Sequence, residues 1–121
     1  MEWNKISTLS ELDNAIESSE GQWVGLFKHS TRCSISATAL DRFERNWDKA
    51  KGHIKPYYID LIAHREVSNA IQEKLGVLHE SPQFILVRDG KAVYHESHFG
   101  IQIGEILEEI SKREPSSREQ V

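Results

Sequence analysis

Residues 27–36 read FKHSTRCSIS and hold the only cysteine of the chain, Cys33, with Ser36 three positions after it. A thiolate can attack a disulfide sulfur, provided that it ionises near neutral pH and meets solvent. Paired-thiol redox motifs place a second cysteine where Ser36 stands. A serine has no sulfur with which to displace a bound partner. C-x-x-S therefore describes a site that can form a mixed disulfide but cannot resolve it alone. The competing reading is a cysteine that serves as a small buried hydrophobe.

The neighbours of Cys33 favour the ionised form. Lys28, His29 and Arg32 crowd the stretch before it, and nearby positive charge stabilises a thiolate. A helical pattern begins directly after it, so Cys33 should stand at a helix amino terminus. Unpaired N–H groups and about half a unit of positive charge act there in the same direction. The spacing thus predicts a sulfur that is partly or mostly thiolate at neutral pH. Ser36 faces Cys33 across one helical turn. Its hydroxyl or backbone N–H can donate to the sulfur, or can serve only local hydrogen bonds at the helix start. His29 can act as a local charge or as a proton donor to a leaving thiol. It can also be a loop histidine bonded to a backbone carbonyl.

The elements that must position these residues are legible in the periodicity. Thr8 and Glu11 form a T-x-x-E capping box, and Leu9, Leu12 and Ile16 follow at helical spacing, giving a helix over about residues 9–18 after a short strand near residues 5 and 6. WVGLFKH, residues 23–29, reads as a buried strand. Ile35, Ala39, Leu40, Phe43 and Trp47 mark one face of a helix closed by Lys51 and Gly52. KPYYIDL, residues 55–61, is another strand. Val67, Ala70, Ile71 and Leu75 line a helix that Gly76 ends. Pro82 opens the strand PQFILVR, Asp89 and Gly90 make a hairpin turn, and KAVYHES pairs back. Ile103, Ile106, Leu107 and Ile110 give a last helix. Strands joined through a helix are expected to be parallel, with the hairpin adding an antiparallel edge. This order resembles a thioredoxin-like α/β fold, a central mixed sheet of four to five strands flanked by helices. One domain over residues 1–112 and a polar, disordered tail over 113–121 are expected.

Composition narrows the partners. The 121 residues suit one core. The chain carries 15 Lys and Arg against 19 Asp and Glu, a net charge of −4, with no basic stripe of the kind that tracks nucleic acid. No apolar run approaches the roughly 20 residues of a membrane helix, and MEWNKISTLSELD lacks signal-peptide character. One cysteine makes no internal disulfide, which fits a reducing, cytoplasmic setting. The six histidines are scattered, and His95 and His98 diverge at a strand end, so no metal site is expected. Trp3, Trp23 and Trp47 read as packing residues. Arg65, Ser68 and Asn69 read as an exposed helix face, and Glu80 as a flank of the groove beside Pro82.

KHSTRCSIS at 28–36, YYIDLIAHREVSNAIQEKLGVLHESPQ at 57–83 and SHFGI at 97–101 resemble the monothiol bacilliredoxins, the YtxJ-like proteins, across nearly the whole domain. KHSTRC and HESPQ carry the specificity; C-x-x-S alone is weak. The resemblance implies a thiol–disulfide oxidoreductase acting with bacillithiol, the small thiol that some bacteria use in place of glutathione. It implies that Cys33 is the nucleophile and that Ser36 takes the place of the resolving cysteine. Pro82 would be a cis proline against the active-site loop, preceded by Ser81. His29, Arg32, Ser34, Ser36, Ser81 and Pro82 would bind substrate or stabilise the thiolate. Bacillithiol would be a cosubstrate, with no bound cofactor. Bacillithiolated client proteins and a disulfide reductase would be the partners. The family pattern commonly has proline after the cysteine. Ser34 stands there instead and keeps a backbone N–H, an added donor near the sulfur that also bears on redox tuning. A thioredoxin-like adaptor that binds protein or senses oxidation without turnover is the alternative, and a related exchange with glutathione or another small thiol stays open.

Overall fold

Each run of short-period apolar residues became a strand, and each run of longer period became a helix. The order is β1 (Asn4–Lys5), α1 (Leu9–Glu17), β2 (Val24–His29), α2 (Ser34–Arg45), β3 (Lys55–Asp60), α3 (Arg65–Leu75), β4 (Gln83–Arg88), β5 (Lys91–Ser97) and α4 (Ile103–Arg113). Short 3-10 turns lie at Trp47–Lys49 and His98–Gly100. This is a computed structural model, and it describes residues 1–114. Helix α4 includes Arg113, one residue past the expected domain boundary; residues 115–121 of the expected tail lie outside the described residues.

The strands form one sheet in the order β1-β3-β2-β4-β5. All six residues of β2 are buried, as a central strand covered on both faces requires. β3 runs parallel to β1 and β2, while β4 runs antiparallel to β2 and to β5. β3 and β4 are joined through α3 and yet are antiparallel to each other, which corrects the expected rule. The reason is the connection. After α3 returns along the sheet, residues 77–82 carry the chain back up before β4 begins. Six extended residues span up to about 20 Å, enough to offset the roughly 16 Å length of an eleven-residue helix.

Alternation along the strands divides the core in two. Phe27, Phe84 and Leu86 pack with Ala39 and Phe43 of α2 and with Ile103, Ile106 and Ile110 of α4. Val24, Leu26, Ile59, Ile85 and Val87 pack on the other face with Leu12, Val67 and Ile71 of α1 and α3. The Thr8 capping box starts α1, and Asp89 and Gly90 close the hairpin with positive φ at both positions. Two details differ from the sequence reading. α2 stops at Arg45, because the Asn46 side chain donates to the Arg42 carbonyl at 2.9 Å and its backbone leaves the helical region. Trp47 reaches the core from the following 3-10 turn. Ile35, placed on the inward face by spacing, is instead 41% exposed in the first turn of α2.

Candidate active site around Cys33

β2 delivers the chain to the middle of one sheet end and a tight turn follows, closed by Cys33 N–H donating to the Ser30 carbonyl at 3.2 Å. Cys33 is the N-cap of the twelve-residue α2, with extended backbone angles, and its carbonyl accepts from Ala37 N–H at 3.0 Å. Its side chain caps no backbone group and is partly exposed. The sulfur therefore stands at the amino end of a helix, where N–H groups lack intrahelical partners and an anion is favoured. Ser34 is the first helical residue; it is exposed, and its carbonyl accepts the Thr38 hydroxyl at 3.0 Å. Arg32 is exposed in the turn just before Cys33.

Lys28 and His29 do not share that loop. Both lie in β2 and are buried, as the strand read over residues 23–29 places them, and the turn to Cys33 begins only at Ser30. His29 Nδ1 is 2.7 Å from Ser36 Oγ, and Ser30 N–H donates to the same oxygen at 3.0 Å. The His29 ring lies 5.7 Å from that of Tyr58. Burial holds His29 below the usual histidine range, with Asp60 and Glu44 opposing more weakly. At neutral pH it is an uncharged imidazole, so it is not a local cation for the sulfur. Its partner is a serine hydroxyl rather than a backbone carbonyl.

Ser36 is fully buried. It shares the inward stripe of α2 with Ala39 and Phe43, which turns its hydroxyl beneath the helix toward His29. Its backbone N–H does not bond to the sulfur either, since Cys33 receives no capping bond. The contribution expected of Ser36 thus becomes an indirect one: it fastens the end of β2 to the start of α2.

The opposite wall comes from β4. Lys28 pairs with Gln83 in the antiparallel register, so Pro82, one position beyond, comes beside His29. The Ser81–Pro82 peptide is cis. Pro82 is buried, and its carbonyl accepts His98 N–H at 2.9 Å. Ser81 Oγ is buried and has no hydrogen-bond partner among the described residues. Glu80 accepts the Ser97 hydroxyl at 2.7 Å. Arg42 donates to the Phe99 and Ile101 carbonyls at 2.7 and 2.8 Å, joining α2 to the turn that contacts Pro82. The structure thereby brings Cys33, His29, Ser36, Ser81 and Pro82 to one end of the sheet, with Arg32 and Ser34 on its outer surface.

Sequence reading missed the fully buried pair Lys28 and Gln83, whose side chains meet at 2.9 Å. A signal existed: Lys28 stands two and four positions after Leu26 and Val24, so strand alternation aims it into the same core face. Ser68, read as exposed, is buried, with its hydroxyl 3.4 Å from His79 Nδ1; the segment after α3 folds back over it. Among the described residues no three His, Cys, Asp or Glu side chains converge to hold a metal, and no helix is long and apolar enough to cross a membrane.

A family model described as the monothiol bacilliredoxin BrxC matches residues 4–106. A solved structure described as a candidate oxidoreductase with a thioredoxin fold is 29% identical, covers 88% of this chain and 92% of its own, and has a TM-score of 0.78. Thioredoxins from Malassezia sympodialis and Fasciola hepatica are 14% and 16% identical, each with a TM-score of 0.71. They cover 92% and 90% of this chain, and 90% and 97% of their own chains. All of these likenesses show the thioredoxin fold; the family match and the 29% identical oxidoreductase support a thiol redox function.

Proposed function

Because this chain belongs to the monothiol bacilliredoxin family, we propose that it is a thiol–disulfide oxidoreductase that removes bacillithiol from protein mixed disulfides. The observation that carries this reading is the placement of Cys33. The lone sulfur caps the start of α2 without capping a backbone group, is partly exposed, and follows the strand that is paired to the Pro82 segment.

The Cys33 thiolate attacks the bacillithiol sulfur of a modified client. The client–bacillithiol S–S bond breaks as the Cys33–bacillithiol bond forms. The client leaves as a thiolate and takes a proton from solvent. A second bacillithiol thiolate then attacks the bacillithiol sulfur carried by Cys33, releasing the Cys33 thiolate and a bacillithiol disulfide. No second cysteine exists to do this internally. A separate disulfide reductase must supply two electrons to regenerate bacillithiol, which fits a reducing cytoplasm. The chain needs no resident cofactor for this cycle. His29, held uncharged and bonded to Ser36, shapes the site rather than supplying charge. Arg32 and the first turn of α2 provide the positive field.

The test is to incubate the protein with a bacillithiolated single-cysteine protein and follow both by intact mass. A bacillithiol adduct on Cys33 and release of the free client thiol are expected, and Cys33→Ser should show neither. No adduct and no client reduction, with a dithiol enzyme active on the same client, would reject the assignment. A Cys33→Ser variant that keeps full client reduction would reject it as well.

A further inference from the structure

Lys28 is the charged residue that the proposed cycle does not use. It has no exposed surface, and among the described residues its ammonium makes one hydrogen bond, to Gln83 Oε1 at 2.9 Å. Removing a charged amine from water is costly unless it is well paired. Burial pushes Lys28 down from the usual lysine value to about 8, with Glu80 opposing. A methionine of similar volume would fill this place without that cost. On this ground the lysine is expected to add nothing to the stability of the fold at neutral pH, and its partner shows another role.

Gln83 is also fully buried and is the first residue after Pro82. Its amide oxygen accepts from Lys28 and, at 3.4 Å, from Glu80 N–H. Its amide nitrogen donates to the Leu78 carbonyl at 3.0 Å. The glutamine thus holds the segment just before Ser81 at two points, Leu78 and Glu80. Lys28 grips the glutamine from the strand that leads to Cys33. The titratable groups facing this knot are Glu80 and His79 from the segment itself, with the charged Arg65 of α3 beyond His79.

We propose that Lys28 is a positioning residue for the mixed-disulfide reaction: through Gln83 it fixes residues 78–82, and with them Ser81 and Pro82, against the strand that leads to Cys33. The assignment rests on the reading of Cys33 as the attacking sulfur. Its contribution is to substrate placement, because the bond network reaches the proline segment and not the sulfur.

Lys28→Met and Gln83→Met test this with four readouts: thermal unfolding at pH 7, the rate of Cys33 alkylation by iodoacetamide, steady-state reduction of a bacillithiolated single-cysteine protein, and amide hydrogen exchange at Glu80 and His98. The His98 N–H reports on Pro82 because it bonds to the Pro82 carbonyl. In Lys28→Met the unfolding midpoint should hold or rise and alkylation should stay within about twofold. KM should rise about fivefold or more with kcat little changed, the signature of lost binding common to ground and transition states. Exchange at both amides should quicken about tenfold or more, the response to losing roughly 1.4 kcal/mol of local protection. Gln83→Met should shift KM and exchange in the same direction. Unchanged KM and unchanged exchange would overturn the proposal. So would a Lys28→Met variant that unfolds, since Lys28 would then serve stability, or one in which alkylation slows about tenfold, since its charge would then act on the sulfur. If the wild-type protein reduces neither the bacillithiol nor the glutathione adduct of the client, the proposed function fails, and the exchange readout alone decides the role of Lys28.

Discussion

Ser36 shows how one hydroxyl can be claimed twice. At the position of a resolving cysteine it suggests a helper of the sulfur; in the fold it is a tie between His29 and Ser30. Replacing it by alanine leaves His29 Nδ1 and the Ser30 N–H without their buried partner. Such a loss costs about 1–3 kcal/mol. Ser36→Ala should therefore lower the urea midpoint without changing the slope. Because the hydroxyl does not bond to the sulfur, iodoacetamide alkylation of Cys33 at pH 7 should stay within about twofold. A large fall in that rate with stability unchanged would place Ser36 on the sulfur instead.

Among the elements, β2 does most of the positioning. It pairs on both sides, buries every residue, and ends where α2 must begin. Its Gly25 is required by packing rather than by backbone angle. A Cβ there would lie 2.7 Å from two ring carbons of Phe84 and 3.0 Å from Ile54. Phe84 belongs to β4, one residue after Gln83, so pushing the ring aside disturbs the strand that follows Pro82. Gly25→Ala should cost about 1–3 kcal/mol by overpacking, measured by denaturant unfolding. A neutral result would mean that the Phe84 ring moves freely. The hairpin and the first helix depend on local chemistry instead, in the Asp89 and Gly90 turn and the Thr8 cap.

For the whole molecule, desolvated titratable groups, with Lys28 and His29 buried and His79 only partly screened from water, tilt stability toward alkaline pH. The folded state holds His29, His79 and Lys28 below their ordinary values, chiefly through burial. In each case the unfolded chain binds more protons across the window between the two values, so stability rises with pH there. For the histidines that window lies below about 6.5. For Lys28 it runs from about 8 up to the ordinary lysine value of 10.5. Tyr58 and Tyr94 are raised, Tyr94 to about 12; they hold protons that the unfolded chain has lost, so stability falls again above about pH 10. Unfolding free energy should be about 1 kcal/mol higher at pH 9 than at pH 7. Lys28→Met should lose that gain, and a variant that retains it in full would refute the assignment to Lys28.

Local chemistry alone determined a good deal. The capping box, the Asp-Gly turn, the strand and helix periods and the place of Cys33 between them are all set by near neighbours, and so they are legible in order along the chain. The motifs around Cys33 and Pro82 also carried the family. What required tertiary structure was the direction in which side chains point and the path of the chain between α3 and β4. Lys28 and His29 fall within the strand read over residues 23–29, yet read also as charges crowding Cys33; strand alternation turns one to each face of the sheet. Ser36 read as a partner of the sulfur until the packing of α2 turned its hydroxyl inward. Charge and hydrogen bonding depend on burial and on residues dozens of positions away, and those distances close only when the sheet assembles.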